Sequence, residues 1–233
     1  MSDQDATTPR VFLARHGETE WTINGRYTGV TELDLTPRGV GQVRASGAQL
    51  VGPGRLLDPA SIVRIFVSPR KRAQTTLGLL FGDGEASQVD ASKVVTTDEI
   101  AEWDYGDYEG LLTKEIRELR ANKGLDTAQP WDIWRDGCEG GETAQQVTAR
   151  LDALIQKIYD IQRDNMHGEH PADVVLVAHG HILRAFVKRW LLYPMESPLP
   201  LMMSPGAIGV LSYDNHSIQE PAIMVGLSMP SST

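Results

Sequence analysis

The segment VFLARHGETEW, residues 11–21, determines the architecture that the sequence predicts. Its first four residues are apolar, which is typical of a short strand covered on both faces. Such strands occur mostly in open α/β sheets, where ligands bind beyond the carboxyl ends of the strands. Arg15, His16 and Gly17 follow at that end and supply a guanidinium, an imidazole and a backbone that a ligand can approach closely. The segment predicts an anion site that contains a nucleophile, with a solvated surface turn as the alternative for this tripeptide alone.

A second apolar run, residues 63–67, ends in a cluster of cations. Ser68 and Pro69 predict the start of a helix there, with Ser68 as its N-cap. Arg70, Lys71 and Arg72 then fall in the first helical turn, where cations are normally disfavoured. An anionic ligand would explain them, and a basic surface face is the alternative.

A third apolar run, residues 174–178, ends in His179-Gly180-His181, and a helix over 182–192 is predicted to follow. A metal-binding His pair is a minor alternative, because the sequence places no carboxylate or thiol at ligand spacing nearby. If the three strands are parallel neighbours, two histidines and several arginines meet at one edge of the sheet. Phosphoryl transfer needs such a set, with arginines to neutralise the equatorial oxygens and an imidazole to attack phosphorus.

Composition limits the classes of protein and partner that fit the chain. Its 233 residues, 41% of them hydrophobic, suit one domain over residues 10–226 between disordered tails at 1–9 and 227–233. The net charge of −9 argues against nucleic acid or an anionic membrane as the main partner. The single Cys138 lies among acidic residues and is predicted to be a structural thiol in a reducing compartment. We expect no leader peptide and no membrane span. We also expect a cytoplasmic location, and we leave open a nuclear location and a homo-oligomer.

The remaining elements follow from local patterns. Residues 21–34 lack periodicity and are predicted to form a loop, and the acidic, aromatic segment 98–109 is either a solvated loop or the source of a carboxylic acid with a raised pKa. Thr143 and Gln146 form a capping box that opens the clearest amphipathic helix. Further predictions are helices over 36–50, 113–122 and 131–135, an edge strand at 94–95 and a last strand over 208–211.

With these motifs together, the sequence resembles the histidine phosphatase superfamily, also called phosphoglycerate mutase-like. The resemblance covers nearly the whole chain and rests on these motifs: Arg15-His16-Gly17-Glu18-Thr19, Tyr27-Thr28-Gly29, Ser68-Pro69-Arg70 with Arg72-Ala73, Glu102-Trp103-Asp104-Tyr105-Gly106, Gly141-Glu142-Thr143 and His179-Gly180-His181. It implies a three-layer α/β/α sandwich around a mostly parallel sheet, with no metal and no cofactor. It also implies that His16 accepts the phosphoryl group, that Glu102 is the acid/base, and that Arg15, Arg72 and His179 surround the phosphoryl group. Arg70 and Lys71 match no catalytic role and are expected to face solvent or the pocket rim.

Longer strings, such as Pro130-Trp131-Asp132-Ile133-Trp134-Arg135, resemble the fungal sedoheptulose-1,7-bisphosphatase branch of that superfamily. This likeness implies a sugar and second-phosphate subsite lined by Tyr27, Thr28, Trp103, Tyr105, Arg184 and Gly206. Only residues 193–205 separate the Arg184 helix from the last strand, a shorter segment than in that branch, so looser enclosure and broader specificity are expected. The resemblance favours a phosphatase that acts on a phosphorylated small molecule such as sedoheptulose 1,7-bisphosphate. The alternatives are a phosphoglycerate mutase, a broad-specificity phosphomonoesterase and a catalytically idle module that binds phosphorylated ligands.

Overall fold

A computed structural model describes residues 7–226 of the chain. Its centre is one sheet of six strands in the order β3-β2-β4-β1-β5-β6. The strands are β1 (Val11–Arg15), β2 (Ile62–Val67), β3 (Val94–Thr96), β4 (Asp173–Ala178), β5 (Ile208–Tyr213) and β6 (Pro221–Ile223). Strands β3, β2, β4 and β1 are mutually parallel, whereas β5 and β6 are antiparallel additions. The prediction of a mostly parallel sheet is confirmed.

The register of the sheet brings the three predicted strand ends together. Arg15 at the end of β1 is paired with Ala178 at the end of β4, and Val67 at the end of β2 is paired with Val177. His16 and His179 therefore leave neighbouring strands at the same edge, and Ser68 leaves the third. This edge is the carboxyl end of the parallel strands, where the sequence predicted the site.

Helices cover both faces of the sheet, because strand side chains point alternately to opposite sides. The helices are α1 (Glu20–Asn24), α2 (Pro37–Leu50), α3 (Lys71–Phe81), α4 (Thr113–Asn122), α5 (Ile133–Asp136), α6 (Ala144–Gln162) and α7 (Gly180–Trp190). Phe12 and Ala14 of β1 pack in one core with α2 and α3, while Val11 and Leu13 pack in the other core with α6 and α7. The predicted three-layer α/β/α sandwich is confirmed.

Several element boundaries differ from the predictions. Helix α3 begins at Lys71 with Arg70 as its N-cap, because the buried Ser68 hydroxyl instead bonds to His179 and accepts a hydrogen bond from the Arg70 amide. The short helix α1, which a capping box between Thr19 and Thr22 opens, overlaps the first part of the predicted loop 21–34. Helix α7 begins two residues before the predicted start, and the three-residue strand β6 was not predicted.

The prediction that residues 1–9 form a disordered tail is wrong for Thr8 and Pro9. Thr8 and Pro9 are buried, and the Ser212 hydroxyl of β5 donates to the Pro9 carbonyl at 2.9 Å. These residues belong to the packed body because they continue into β1. Thr7 is exposed, and residues 1–6 and 227–233 of the predicted tails lie outside the described residues. Within residues 7–226, no helix is long and apolar enough to cross a membrane.

Candidate active site

His16 is held as a neutral imidazole with a defined tautomer. Its ring is buried, and Nδ1 lies 2.7 Å from the carbonyl oxygen of Gly17. Since a carbonyl can only accept, Nδ1 carries the proton and Nε2 carries the lone pair. Burial, then the charge of Arg72, lower the pKa of His16 to about 3. The imidazole is therefore neutral near neutral pH, with its proton on Nδ1, and in this form its Nε2 can act as a nucleophile.

Gly17 permits the close packing that holds this turn. A Cβ atom there would lie 2.5 Å from the Gly39 carbonyl oxygen of α2, a distance that real Cβ atoms do not adopt. Any larger residue would push the loop after β1 away from α2. The glycine of the Arg-His-Gly motif is thus required by packing as well as by ligand approach.

His179 has the opposite tautomer to His16. Its Nδ1 accepts a hydrogen bond from Nε of Arg72 at 3.1 Å, so Nε2 carries the proton and donates it to the Ser68 hydroxyl at 2.6 Å. Burial, then the charge of Arg72, hold the pKa of His179 well below its ordinary value. The two histidine rings lie 5.1 Å apart. His179 is therefore a neutral neighbour of His16 and adds no positive charge beside it.

Arg72 is fully buried next to His179. Besides the bond to His179, Nη1 donates to the Thr31 carbonyl, and Nη2 donates to the carbonyls of Thr28 and Gly29. Four of its five N–H donors are therefore occupied by the protein. Arg72 fixes the 28–31 loop and His179, and contributes positive charge with at most one donor left for a ligand.

Arg15 has a free donor beside His16. Its Nη1 donates to the Met203 carbonyl at 2.5 Å, but its buried Nε has no hydrogen-bond partner within the described chain. The guanidinium lies on Gly180, where a Cβ atom would be 3.2 Å from Cζ. Burial, then the charge of Arg184, lower the pKa of Arg15, although an arginine remains protonated in proteins. A buried charged donor without a partner is what a phosphoryl oxygen would satisfy.

Glu102 is fixed at the N-terminus of α7. Its Oε1 accepts from the amides of Trp103 and Ile182, and its Oε2 accepts from the amide of His181. The latter two are among the helix N–H groups that lack an intrahelical acceptor. Although 79 residues separate Glu102 from His181 in the chain, the carboxyl group is thereby oriented at the same site as His16.

Arg15, His16 and Glu102 line a cavity of about 290 Å³, close to the lower end of small-ligand pockets, whereas the predicted site residues Arg72 and His179 lie outside its lining. Four of the six predicted substrate residues line it: Tyr27, Thr28, Tyr105 and Arg184. The other two do not line it. The buried Trp103 indole donates to the Glu142 carbonyl, and the Gly206 amide donates to the carbonyls of Arg15 and His16. In this structure Trp103 supports Glu102 through its amide, and Gly206 supports the turn after β1.

The aromatic segment around Glu102 is a packed wall, so its description as a solvated loop is wrong. Trp103, Tyr105 and Tyr108 are fully or almost fully buried. Arg70 and Lys71 lie outside the cavity lining. Lys71 is exposed and pairs with Asp34 at 2.7 Å, and the Arg70 guanidinium is 3.9 Å from Glu32.

Two ionisable residues of the cavity lining, His181 and Arg26, are absent from the predicted site residues. The sequence predicts a role for the His181 side chain only in the minor metal-pair alternative, yet His181 lines the cavity, shares a 2.6 Å hydrogen bond with the Tyr105 hydroxyl and stacks on Tyr27. Arg26 also lines the cavity, and nothing in the aperiodic segment around it distinguishes it from a solvated arginine. For His181 the sequence contained a usable signal: as the second histidine of His-Gly-His, it falls in the first turn of α7, next to the predicted strand end.

Metal-ligating clusters are absent from the described residues: none of them form a group of three or more His, Cys, Asp or Glu side chains able to hold an ion.

Cys138 is buried, and burial followed by the charge of Asp104 raises the pKa of its thiol to about 12. Such a thiol is a poor nucleophile, in line with its predicted structural role.

The buried histidines make the stability of the protein depend on pH. The folded-state pKa is about 3 for His16, about 4 for His181 and well below 6.5 for His179, in each case chiefly through burial. Below pH 6.5 the unfolded chain binds more protons at these positions than the folded protein. The free energy of unfolding therefore falls as the pH is lowered from 6.5 to about 4, by up to about 1.4 kcal/mol per pH unit for each histidine.

Thermal unfolding between pH 7 and pH 4.5 tests this prediction. As the pH is lowered, the Tm of His181→Gln should decline less steeply than that of the wild type, because one of the buried histidines with a lowered pKa is gone. His170→Gln, which alters an exposed histidine, should keep the wild-type slope. Equal slopes for His181→Gln and the wild type would contradict the prediction.

Comparison with known proteins adds independent information. The family model of the histidine phosphatase superfamily (branch 1) matches residues 11–222. Sedoheptulose 1,7-bisphosphatase of Saccharomyces cerevisiae is 40% identical over 93% of this chain and 92% of the yeast protein. An acid phosphatase of Mycobacterium tuberculosis is 34% identical over 92% and 91% of the two chains. A solved structure of an open reading frame from the same bacterium has a TM-score of 0.73 and 32% identity, covering 93% of this chain and 96% of that one.

Proposed function

The chain belongs to the histidine phosphatase superfamily (branch 1), and from that premise we propose that it hydrolyses a sugar bisphosphate through a phosphohistidine on His16. One observation carries the proposal: the Gly17 carbonyl holds the proton of His16 on Nδ1 and leaves the Nε2 lone pair at the cavity that Arg15 lines. A neutral nucleophile beside an unsatisfied guanidinium suits attack on a phosphate ester.

The first step transfers the phosphoryl group. Nε2 of His16 forms a bond to phosphorus as the ester P–O bond breaks, and the carboxyl group of Glu102 gives its proton to the leaving oxygen. Arg15 neutralises the equatorial oxygens through its unpartnered Nε–H group, and Arg72, which is hydrogen-bonded to His179, adds positive charge. The sugar leaves with a hydroxyl group where its phosphate had been.

The second step regenerates the enzyme. A water molecule gives a proton to the Glu102 carboxylate while its oxygen attacks phosphorus, and the N–P bond breaks to release inorganic phosphate. The three amides that hold Glu102 keep one carboxyl group in place for both steps. The Gly17 carbonyl keeps the His16 ring in place throughout, since Nδ1 remains its donor.

The preferred substrate class is a bisphosphate, and sedoheptulose 1,7-bisphosphate, converted to sedoheptulose 7-phosphate, is our specific proposal. The yeast relative that carries that activity in its name supports it. The charge of the cavity supports it too. The lining holds Arg15, Arg26 and Arg184, its single carboxyl group is that of Glu102, and His16 and His181 are neutral. Arg184 uses Nε to donate to the Leu201 carbonyl, and its two terminal nitrogens have no partner among the described residues. They suit a second phosphate.

The short segment after α7 contributes to the site through its backbone. The Met203 carbonyl accepts from Arg15, and the Leu201 carbonyl accepts from Arg184. This segment thus positions both arginines, and the broader specificity expected from its shortness stays a prediction.

Four further expectations also stay predictions: the absence of nucleic-acid partners, the absence of membrane partners, a homo-oligomer and a cytoplasmic location.

Phosphate release from a panel of esters tests the proposal. With EDTA present throughout, kcat/KM for sedoheptulose 1,7-bisphosphate should exceed that for fructose 1,6-bisphosphate, fructose 2,6-bisphosphate and the phosphoglycerates by about tenfold or more. The physical reason for this preference is that the cavity lining holds more arginines than one phosphate needs. Activity should persist in EDTA because the proposed catalytic steps use protein side chains alone.

Each alternative predicts a different outcome of the same panel. Equal turnover of all esters would favour a broad-specificity phosphomonoesterase. Interconversion of phosphoglycerates that requires 2,3-bisphosphoglycerate, without net release of phosphate, would favour a mutase. Binding without turnover would favour an idle phospho-ligand module, and a loss of activity in EDTA would contradict the metal-independent mechanism.

A further inference from the structure

Arg26 lies in the wall of the candidate active site but has no part in the proposed chemistry. It lines the same cavity as His16 and Arg184. Its hydrogen bonds connect it to neither Arg15, His16 nor Glu102. Its side chain must therefore serve another part of the ligand or the cavity rim.

The backbone that carries Arg26 is firmly held. Gly25 ends α1 in a left-handed conformation, and the amide of Arg26 donates back to the Trp21 carbonyl at 3.1 Å. The next residue, Tyr27, exchanges backbone hydrogen bonds with Gly110 and Leu111 at 2.8 and 3.0 Å. This anchoring preorganises the Arg26 side chain at the junction between α1 and α4.

Only part of the Arg26 guanidinium is satisfied by the protein. Nη1 donates to the Gly110 carbonyl at 2.5 Å and lies 3.3 Å from Glu115. Nε and Nη2 have no partner within residues 7–226. The ion pair with Glu115 is weak because both side chains are more than a third exposed, and Glu115 also accepts the Leu112 amide at the start of α4. Arg26 thus keeps charge and donors for a ligand.

The charges of the cavity call for a ligand with two anionic groups. Arg15, next to His16, serves the phosphoryl group that is transferred. Arg184 is close enough to Arg15 for its charge to lower the pKa of Arg15, so the two cations repel each other when the cavity lacks an anion. When Glu102 is protonated for the first step, the three arginines of the lining carry more positive charge than one phosphate dianion of charge about −1.5 to −2 can neutralise.

Resting on the function proposed above, we propose that Arg26 is a specificity-determining residue that binds the non-transferred phosphate of a sugar bisphosphate together with Arg184. The terminal nitrogens of Arg184 and the Nε and Nη2 groups of Arg26 then supply charged donors from α7 and from the loop after α1. A monophosphate ester lacks the group that these donors recognise. Arg26 would therefore select between substrates without taking part in bond making.

The test compares two substrates in matched variants. The ratio of kcat/KM for sedoheptulose 1,7-bisphosphate to kcat/KM for p-nitrophenyl phosphate should fall about tenfold or more in Arg26→Gln, mainly through KM of the bisphosphate, because one charge-assisted hydrogen bond is lost. Arg26→Lys, which keeps the charge but loses the planar fork, should give an intermediate ratio. Arg163→Gln removes an exposed arginine at the far end of α6 and should leave the ratio unchanged.

Two results would overturn the assignment. One is an unchanged ratio in Arg26→Gln, and the other is a ratio that falls equally in Arg163→Gln, which would indicate a general effect of net charge. Binding to a His16→Ala background separates this inference from the function on which it rests. There, adding Arg26→Gln should weaken calorimetric binding of sedoheptulose 1,7-bisphosphate about tenfold more than binding of sedoheptulose 7-phosphate, whether or not the wild type turns over either compound.

Discussion

Replacing His16 by alanine should lower kcat for every phosphate ester by at least about 10⁴-fold, the scale of loss seen when a covalent nucleophile is removed. The lone pair on Nε2 of His16 is a neutral nitrogen nucleophile at a cavity that also holds the unsatisfied guanidinium of Arg15. His179 cannot replace it, because Arg72 occupies its Nδ1 and its Nε2 proton is directed at Ser68. The measurement is steady-state phosphate release, together with rapid acid-free trapping of the phosphoenzyme from a labelled ester.

The trapped species distinguishes this role from a structural one. Wild-type protein should hold label on histidine in a form stable to base and labile to acid, and His16→Ala should hold none. His170→Ala removes an exposed histidine and should match the wild type in turnover and labelling. Wild-type turnover in His16→Ala would show that another group attacks phosphorus.

Replacing Glu102 by glutamine should lower kcat for sugar esters by about 10²- to 10⁴-fold. The side chain keeps nearly the same shape, and its remaining oxygen can accept the amides of Trp103 and Ile182 as Oε1 does now. It can no longer transfer a proton. The defect should depend on the leaving group, since p-nitrophenolate needs no proton to depart whereas a sugar alkoxide does.

Burst kinetics provide the measurement. With p-nitrophenyl phosphate, Glu102→Gln should release the first equivalent of nitrophenol far faster than later equivalents, because the water that attacks the phosphohistidine still needs a base. Glu118→Gln removes an exposed carboxylate of α4 and should behave as the wild type. A defect of equal size for both classes of leaving group, without a burst, would assign Glu102 to positioning alone.

The pattern around the strand ends was predictable because its physics is local. Apolar runs at residues 11–14, 63–67 and 174–178 form strands wherever two layers of helices cover a sheet, and parallel strands present their carboxyl ends at one edge. His16 and His179 therefore had to meet once the strands were neighbours, as the paired Arg15 and Ala178 confirm. The family resemblance and the three-layer fold followed from the same residues.

Several roles within the site are decided by contacts between distant parts of the chain. Glu102 is oriented by amides of α7, and Arg72 by the carbonyls of residues 28–31, which lie 41 to 44 positions earlier. Trp103 and Gly206 were expected to bind substrate, but in the fold their polar groups serve neighbouring backbone. Side-chain direction at such positions depends on packing that no local pattern encodes.

By itself, the sequence determined which strands form, which residues follow them and which family the protein belongs to, because these depend on hydrophobic patterning and on short motifs. Only the tertiary structure decided the tautomers of His16 and His179, the free donor of Arg15 and the entry of Arg26 into the cavity. Each of these depends on a hydrogen-bond partner, or on the lack of one, supplied by another element. Burial sets the charge state of the histidines, and burial exists only once the layers have assembled.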